Sequence, residues 1–351
     1  MPRLRDLGIT IGSLPTGEHN AITDVPGVLV GHSTIIADEP RVARTGVTMV
    51  VPRDGAIWSD HVFAAYHSFN GNGEMTGLPW IDEAGMIGAP IGITNTHQVG
   101  VVRDAIVRYA MEHRYYESFF LPVVAETYDG LLNDIGAFHV TTEHAIAAIE
   151  SARGGPVPEG NVGGGTGMIC HGFKGGIGTA SRLTETKSGT FTVGVLVQAN
   201  YGLRQDLRVD GVPVGRLIPE EEVPSAWARQ ESSSSIIVIV ATDAPLVPTQ
   251  CRRLAQRATV GLAHVGGYGG NSSGDIFLAF ATGNHLPAGR AEPYELRMLP
   301  HDQIDPLFRG VAEATEEAIL NALCAAETMV GFRGHTAYAL PHERLRAVMR
   351  R

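Results

Sequence analysis

Runs of valine and isoleucine broken by glycine, proline and aspartate recur along the first third of the chain. ITDVPGVLVGHSTI and TGVTMVVPRDG both carry this punctuation, which predicts strands joined by tight turns. FNGNGEMTGLPWIDEAG, rich in Gly and Asn, reads as a loop. From Val99 to His113 the apolar residues Val102, Ile106 and Tyr109 recur at helical spacing. A second helix is predicted from Glu143 to Ala152, with Thr142 as N-cap and Gly154-Gly155 as its stop. VGVLVQAN (193–200) and SIIVIVATD (235–243) are apolar almost throughout, the pattern of strands buried on both faces. Pro248 to Gly261 predicts a helix started near Asp243, and DIFLAFAT (275–282) a strand. Asp305 to Glu327 predicts a long helix with Val311, Ala314, Ala318 and Ala322 on one face. This order suits sheets covered by helices within one compact domain, and no repeat of fixed period is visible.

Two segments interrupt the pattern. GNVGGGTGMICHGFKGGIGTASR (160–182) is the richest in glycine. No Lys-Ser/Thr follows its glycines as a phosphate loop requires, and it lacks the dinucleotide-binding spacing. Its glycines alternate with Ile169, Phe173 and Ile177, which predicts paired strands with closely packed backbones. RLIPEEEVPSAWARQESSS (216–234) is acidic, proline-containing and serine-rich, and is expected to be exposed and mobile.

With 351 residues, 44% hydrophobic and 18% charged, the chain has the composition of a folded protein with a sizeable core. A net charge of -10 gives no electrostatic reason to bind nucleic acid or an anionic membrane, and suits a small-molecule or peptide enzyme. Cys170, Cys251 and Cys324 have no paired spacing, so neither a disulfide framework nor a zinc site is expected. The first residues read as neither a signal peptide nor a membrane span, and no run reaches the roughly 20 apolar residues of a membrane helix. A cytoplasmic protein is expected.

The start of the SII strand is unusual. A strongly apolar strand begins abruptly at Ser235, directly behind the serine-rich loop. A cut in such a loop leaves the core intact and presents a new N-terminal serine. That residue carries both nucleophile and base, because an α-amino group with a pKa near ~8 can take the hydroxyl proton. By spacing alone, a solvated linker before a strand explains the same residues.

SIIVIVATDAPLVPTQCRRLAQRATVGLAHVGGYGGNSSGDIFLAF closely resembles the nucleophile region of the P1-type aminopeptidases, the L-aminopeptidase/D-amidase-esterases and β-peptidyl aminopeptidases. ITDVPGVLVGH, FNGNGEMTG, PIGITNTHQVG, PVVAETYDGLLNDI, GTGMICHGFKGGIGTASR, VGVLVQANYG and the C-terminal ATEEAILNALCAAETMVGFRGHTAYALPHERL agree with it, from about Leu7 to Leu345. The resemblance implies an α+β fold, a four-layer αββα sandwich like that of the N-terminal-nucleophile hydrolases but differently connected. It implies an inactive precursor that cuts itself between Ser234 and Ser235 into chains 1–234 and 235–351, which assemble as a homotetramer of processed pairs.

The same resemblance assigns residues. Ser235 is the nucleophile, and Asn200 in QANYG is the oxyanion-hole asparagine. Ser273 and Asp275 in NSSGD polarise the nucleophile and hold its amino group; some relatives have Glu where this chain has Asp275. Tyr128 in ETYDG donates to the intermediate's oxygen, Glu126 pairs with the substrate's ammonium, and Asn72 and Glu74 line the same pocket. Relatives commonly have glycine before the nucleophile, whereas this chain has Ser234, and the SSSS run leaves Ser234 as the alternative nucleophile. The substrate implied is a small peptide or amino-acid amide, with no cofactor and no metal. His97, His139 and His171 are expected to be structural rather than members of a triad. Two rivals stay open: an acyltransferase of the ornithine acetyltransferase kind, which uses threonine as nucleophile, and an unprocessed binding protein.

Overall fold

The computed structural model describes residues 2–115, 119–226 and 234–350. Strands β1 (Leu29–Ala37) and β2 (Ala43–Val51) form an antiparallel hairpin. β3 (Asp60–Ser68) is followed by helix α1 (Leu78–Ala84) and by β4 (Met86–Ile87), which returns to pair with β3. β5 (Ile91–Asn95) leads through α2 (Val99–Glu112) to its parallel neighbour β6 (Val123–Thr127). After α3 (Thr142–Glu150), a short hairpin of β7 (Ile169–Cys170) and β8 (Phe173–Lys174) precedes the long pair β9 (Gly176–Thr186) and β10 (Gly189–Asn200). α4 (Val214–Leu217), β11 (Ser235–Thr242), α5 (Pro248–Val265) and β12 (Gly274–Pro287) follow. The chain then forms α6 (Asp305–Ala325), β13 (Met329–Val330), β14 (Thr336–Ala337) and α7 (His342–Met349).

Two sheets dominate, one ordered β1-β2-β5-β6 and one ordered β4-β3-β12-β11-β10-β9. α2 and α3 cover the first, α5 and α6 the second, which gives the αββα layering expected. Alternate residues of β11 enter different cores. Ile236, Val238 and Val240 pack toward α5 and α6, while Ile237, Ile239 and Ala241 pack between the sheets. A strand with an apolar layer on each side needs no polar face, which explains the uninterrupted SIIVIVAT run. By the same parity Ser235 belongs to the face between the sheets.

Several boundaries differ from the sequence reading. α3 is capped by Thr141 rather than Thr142 and ends at Glu150, before the glycine pair. α5 continues past Gly261 to Val265. Gly261 is no stop, because a Cβ there would lie 2.5 Å from the Ala312 carbonyl oxygen, and glycine lets α5 and α6 approach closely. The 160–182 segment contains the predicted close strands only from Ile169 onward. In the 216–234 loop, residues 227–233 lie outside the described residues. Before them the loop is not uniformly exposed: Val223 is buried, and Glu222 accepts from Arg344 at 2.7 Å.

α6 departs most from a one-faced helix, since it is buried almost all round, acidic residues included. Arg182, fully buried, donates to Glu317 at 2.6 Å, and Arg5 donates to both Glu317 oxygens at 2.7 and 2.9 Å. Burial pushes the Glu317 carboxyl up, but the Arg5 bond and both guanidinium charges outweigh it and hold the pKa below its ordinary value. Removing one partner of such a buried pair strands the other charge. Glu317→Ala is expected to cost about 3–5 kcal/mol of folding stability, read from denaturant midpoints; a loss below ~1 kcal/mol would contradict this account.

Candidate active site

Three strand ends meet at one edge of the larger sheet. In the antiparallel β10–β11 ladder Asn200 stands opposite Ser235, and in the parallel β11–β12 ladder Ser235 stands opposite Gly274. The Gly274 N–H donates to the carbonyl oxygen of Ser234 at 3.1 Å. The carbonyl that precedes Ser235 is thus already held by a backbone donor. The loop after β3 crosses this edge so closely that a Cβ on Gly274 would lie 2.5 Å from the Gly73 Cα. Glycine at both positions lets the two backbones touch.

Beside Ser235, Ser273 and Asp275 form a tight buried pair. The Ser273 hydroxyl donates to Asp275 Oδ1 at 2.6 Å, and the same oxygen accepts the Ile236 N–H at 3.2 Å. Asn70 accepts the Asp275 N–H at 2.7 Å and donates to the Gly270 carbonyl at 3.0 Å, tying the β3 loop to the start of β12. Burial raises the Asp275 pKa, opposed by the Ser273 and Ile236 bonds. Because Ser273 gives its proton to Asp275, its oxygen lone pairs are left to accept from a neighbour.

Asn200 is buried and doubly held. Its Oδ1 accepts the Ile169 N–H at 2.9 Å, and its Nδ2 donates to the Tyr128 carbonyl at 2.9 Å. The amide is therefore oriented by its network: the oxygen is committed to an N–H, and the NH₂ group retains a second proton. Tyr128, just past the end of β6, is half-buried, with its ring against Gly130, where a Cβ would lie 2.3 Å from the phenol oxygen.

Glu126, on β6, is only 3% exposed. One of its oxygens accepts the Glu74 N–H at 3.0 Å and the other the Thr96 hydroxyl. Burial raises its pKa, while these two bonds and His97 oppose the rise. Glu74 reaches the site through its backbone, its side chain being exposed. Asn72 is exposed too; its N–H donates to the Ser273 carbonyl at 3.2 Å and its amide to the Ser272 carbonyl at 2.7 Å. Both belong to the loop that closes over the site rather than to its interior. His171 is fully buried, bonds the Leu203 carbonyl, and is pushed down to about 4 by burial, so it stays neutral. His139 bonds the Val42 carbonyl at 3.1 Å.

The sequence profile of peptidase family S58 matches residues 20–337. The chain belongs to peptidase family S58. The β-peptidyl aminopeptidase BapA of Sphingosinicella microcystinivorans is 47% identical over 100% of this chain and 92% of its own length. Among solved structures, a Burkholderia sp. β-aminopeptidase superposes with a TM-score of 0.93 at 52% identity, covering 99% of this chain and 98% of its own. The L-aminopeptidase D-Ala-esterase/amidase of Ochrobactrum anthropi gives 0.93 at 46% identity, covering 100% and 98%. That protein is described as a prototype of the serine aminopeptidases and a variant of the Ntn hydrolase fold. The family and the sandwich expected from the sequence hold, and the chain is a hydrolase of the aminopeptidase kind. Among the described residues, no helix is long and apolar enough to cross a membrane.

The candidate site also contains residues that no local sequence pattern marks. Asn70 stands two residues before Asn72 in the quoted FNGNGEMTG, yet only the folded loop brings it to Asp275. Thr96 lies in PIGITNTHQVG, and nothing in its spacing signals a bond to Glu126, some 30 residues away. Chemically, the edge joins a serine hydroxyl, an oriented amide donor, a serine–carboxylate pair and a buried acid.

Proposed function

We propose that this S58 chain is a self-processing serine aminopeptidase whose nucleophile is Ser235. The observation that carries the reading is the register at the tip of β11. There Ser235 lies between Asn200 on one strand and the Ser273–Asp275 pair beside Gly274 on the other. In the first reaction the Ser235 hydroxyl attacks the Ser234 carbonyl carbon. The carbonyl oxygen develops negative charge against the Gly274 N–H. The C–N bond breaks as the amine takes a proton, leaving an ester between Ser234 and the Ser235 oxygen. Water hydrolyses the ester to a Ser234 carboxylate and a free N-terminal Ser235. The products are chains 1–234 and 235–351.

Substrate turnover repeats the chemistry on another carbonyl. The Ser235 α-amino group, near neutrality in pKa, takes the hydroxyl proton. The oxygen attacks, Asn200 donates its spare N–H to the oxyanion with Tyr128 as the second donor, and the leaving amine departs protonated. Water then releases the acyl group as an acid. Asp275, through Ser273, supports the α-amino group. Substrates are peptides, amides or esters with a free N-terminal amine, the relatives' names pointing to β-amino acyl, L-amino acyl and D-alanyl groups.

Glu126 supplies the restriction to chain ends, its buried carboxylate facing the substrate's ammonium. A charge-assisted bond is worth about 1.5–3 kcal/mol. Glu126→Gln should therefore lower kcat/KM for free-amine p-nitroanilides about 10- to 150-fold. N-acetylated substrates, poor throughout, should change little. Equal losses on both substrate types would remove the ammonium role from Glu126.

A further inference from the structure

Lys174 is a buried amine for which the chemistry above has no use, and a cation when protonated. It is the last residue of β8 and has no exposed surface. Its Nζ donates to the carbonyls of Met168 at 2.8 Å, Gly175 at 2.9 Å and Gly165 at 3.3 Å, which occupies all three ammonium protons. Burial pulls its pKa down to about 7, so the ammonium form is held only up to about neutral pH. The neighbouring Cys170 thiol, pushed up to about 12 by burial, stays neutral, and among the described residues no carboxylate bonds to the Lys174 Nζ. Burying an ammonium without a counter-charge is costly, and methionine, of similar length, would fill the space without that penalty.

What the carbonyls belong to gives Lys174 a use. The Met168 carbonyl is in the same peptide unit as the Ile169 N–H, and that N–H donates to Asn200 Oδ1 at 2.9 Å. The ammonium thus sits on one end of a single peptide group and Asn200 on the other. A cation on the carbonyl oxygen polarises the unit and strengthens its N–H as a donor. A stronger bond at Oδ1 keeps the amide from turning over, and makes its NH₂ end a better donor to an oxyanion.

We propose that Lys174 is a positioning residue for Asn200: through the Met168–Ile169 peptide it fixes which end of the Asn200 amide faces the carbonyl under attack, and it sets positive potential behind it. This rests on the role proposed above for Asn200. Both effects act on the transition state, so they belong in kcat rather than KM.

A double-mutant cycle tests it, with kcat expressed per cleaved enzyme by intact mass. Lys174→Met, with unchanged KM, should lose about tenfold in kcat, within the range of directly coupled neighbours. In an Asn200→Ala background the same substitution should change kcat less than about twofold. A purely structural lysine would give the same loss in both backgrounds, and that result overturns the proposal, as does an unchanged kcat in Lys174→Met. If Lys174→Met does not fold, Lys174→Gln, which keeps two donors but not the charge, takes its place. Because kcat is expressed per cleaved enzyme, slow processing of a variant leaves the comparison unchanged. Should Asn200→Ala alone leave kcat intact, the oxyanion role of Asn200 falls and the relay with it. A normal Asn200 loss with additive Lys174 losses overturns the relay alone.

Discussion

Ser235→Ala is expected to leave one chain of 37.4 kDa and to abolish hydrolysis, whereas the unaltered protein is expected to resolve into 1–234 and 235–351 by intact mass. Both expected outcomes follow from one atom, because in the proposed mechanism the hydroxyl that cuts the chain is the one that later attacks substrate. The ladder favours Ser235 over Ser234. Ser235 is the first residue of β11 and stands opposite Asn200, whereas Ser234 has its carbonyl oxygen tied to the Gly274 N–H. That bond presents the Ser234 carbonyl as the group attacked rather than Ser234 as the attacker. A Ser235→Ala chain that still parts at the same bond would sink the assignment. A Ser234→Ala chain that stays whole, beside a Ser235→Ala chain that cuts, would transfer the role to Ser234.

The second large effect is at Asn200. Asn200→Ala should lower kcat by about 10²–10³, equal to ~3–4 kcal/mol, with little change in KM, the signature of a donor used only as charge develops. The side chain is buried and its oxygen is occupied by the Ile169 N–H, so its NH₂ end has a fixed direction. Asn200→Asp is the sharper variant. It keeps the shape and the Ile169 bond but removes the NH₂ donor, directs negative charge at a forming oxyanion, and should be at least as damaging as alanine. Steady-state kinetics on an amino-acid p-nitroanilide separates the cases. A tenfold rise in KM with kcat preserved would reassign Asn200 to substrate binding.

Much of the site was legible as segments. QANYG, ETYDG, NSSGD and the SII strand each carried a residue now found at one edge of the larger sheet or on β6 facing it. His171 has a left-handed backbone (φ 50°) and a neutral, buried ring, which suits the structural part expected of it. Less legible were residues whose contribution lies in contacts across the fold. Asn70 reaches Asp275 over a separation of 205 residues, and no local pattern marks such a pairing. Nothing in the glycine-rich 160–182 segment singles out Lys174, since its amine has meaning only once three carbonyls converge on it. Asn72 and Glu74 are tied to the candidate site by bonds to Ser272, Ser273 and Glu126, which only the fold shows.

The sequence by itself determined the strands and helices, the two-sided burial of β11, the family, and the serine at the start of that strand. Periodicity and local composition govern the strands, the helices and the burial of β11, each within a few tens of residues, whereas the family rests on the likeness of segments from about Leu7 to Leu345. Only the tertiary structure decided which groups meet that serine: the β10–β11–β12 register, the loop pressed against Gly274, the orientation of the Asn200 amide and the cation behind it. Those depend on strand pairing and on hydrogen bonds between distant segments, where a slip of one residue would turn Ser235 from the space between the sheets toward α5 and α6.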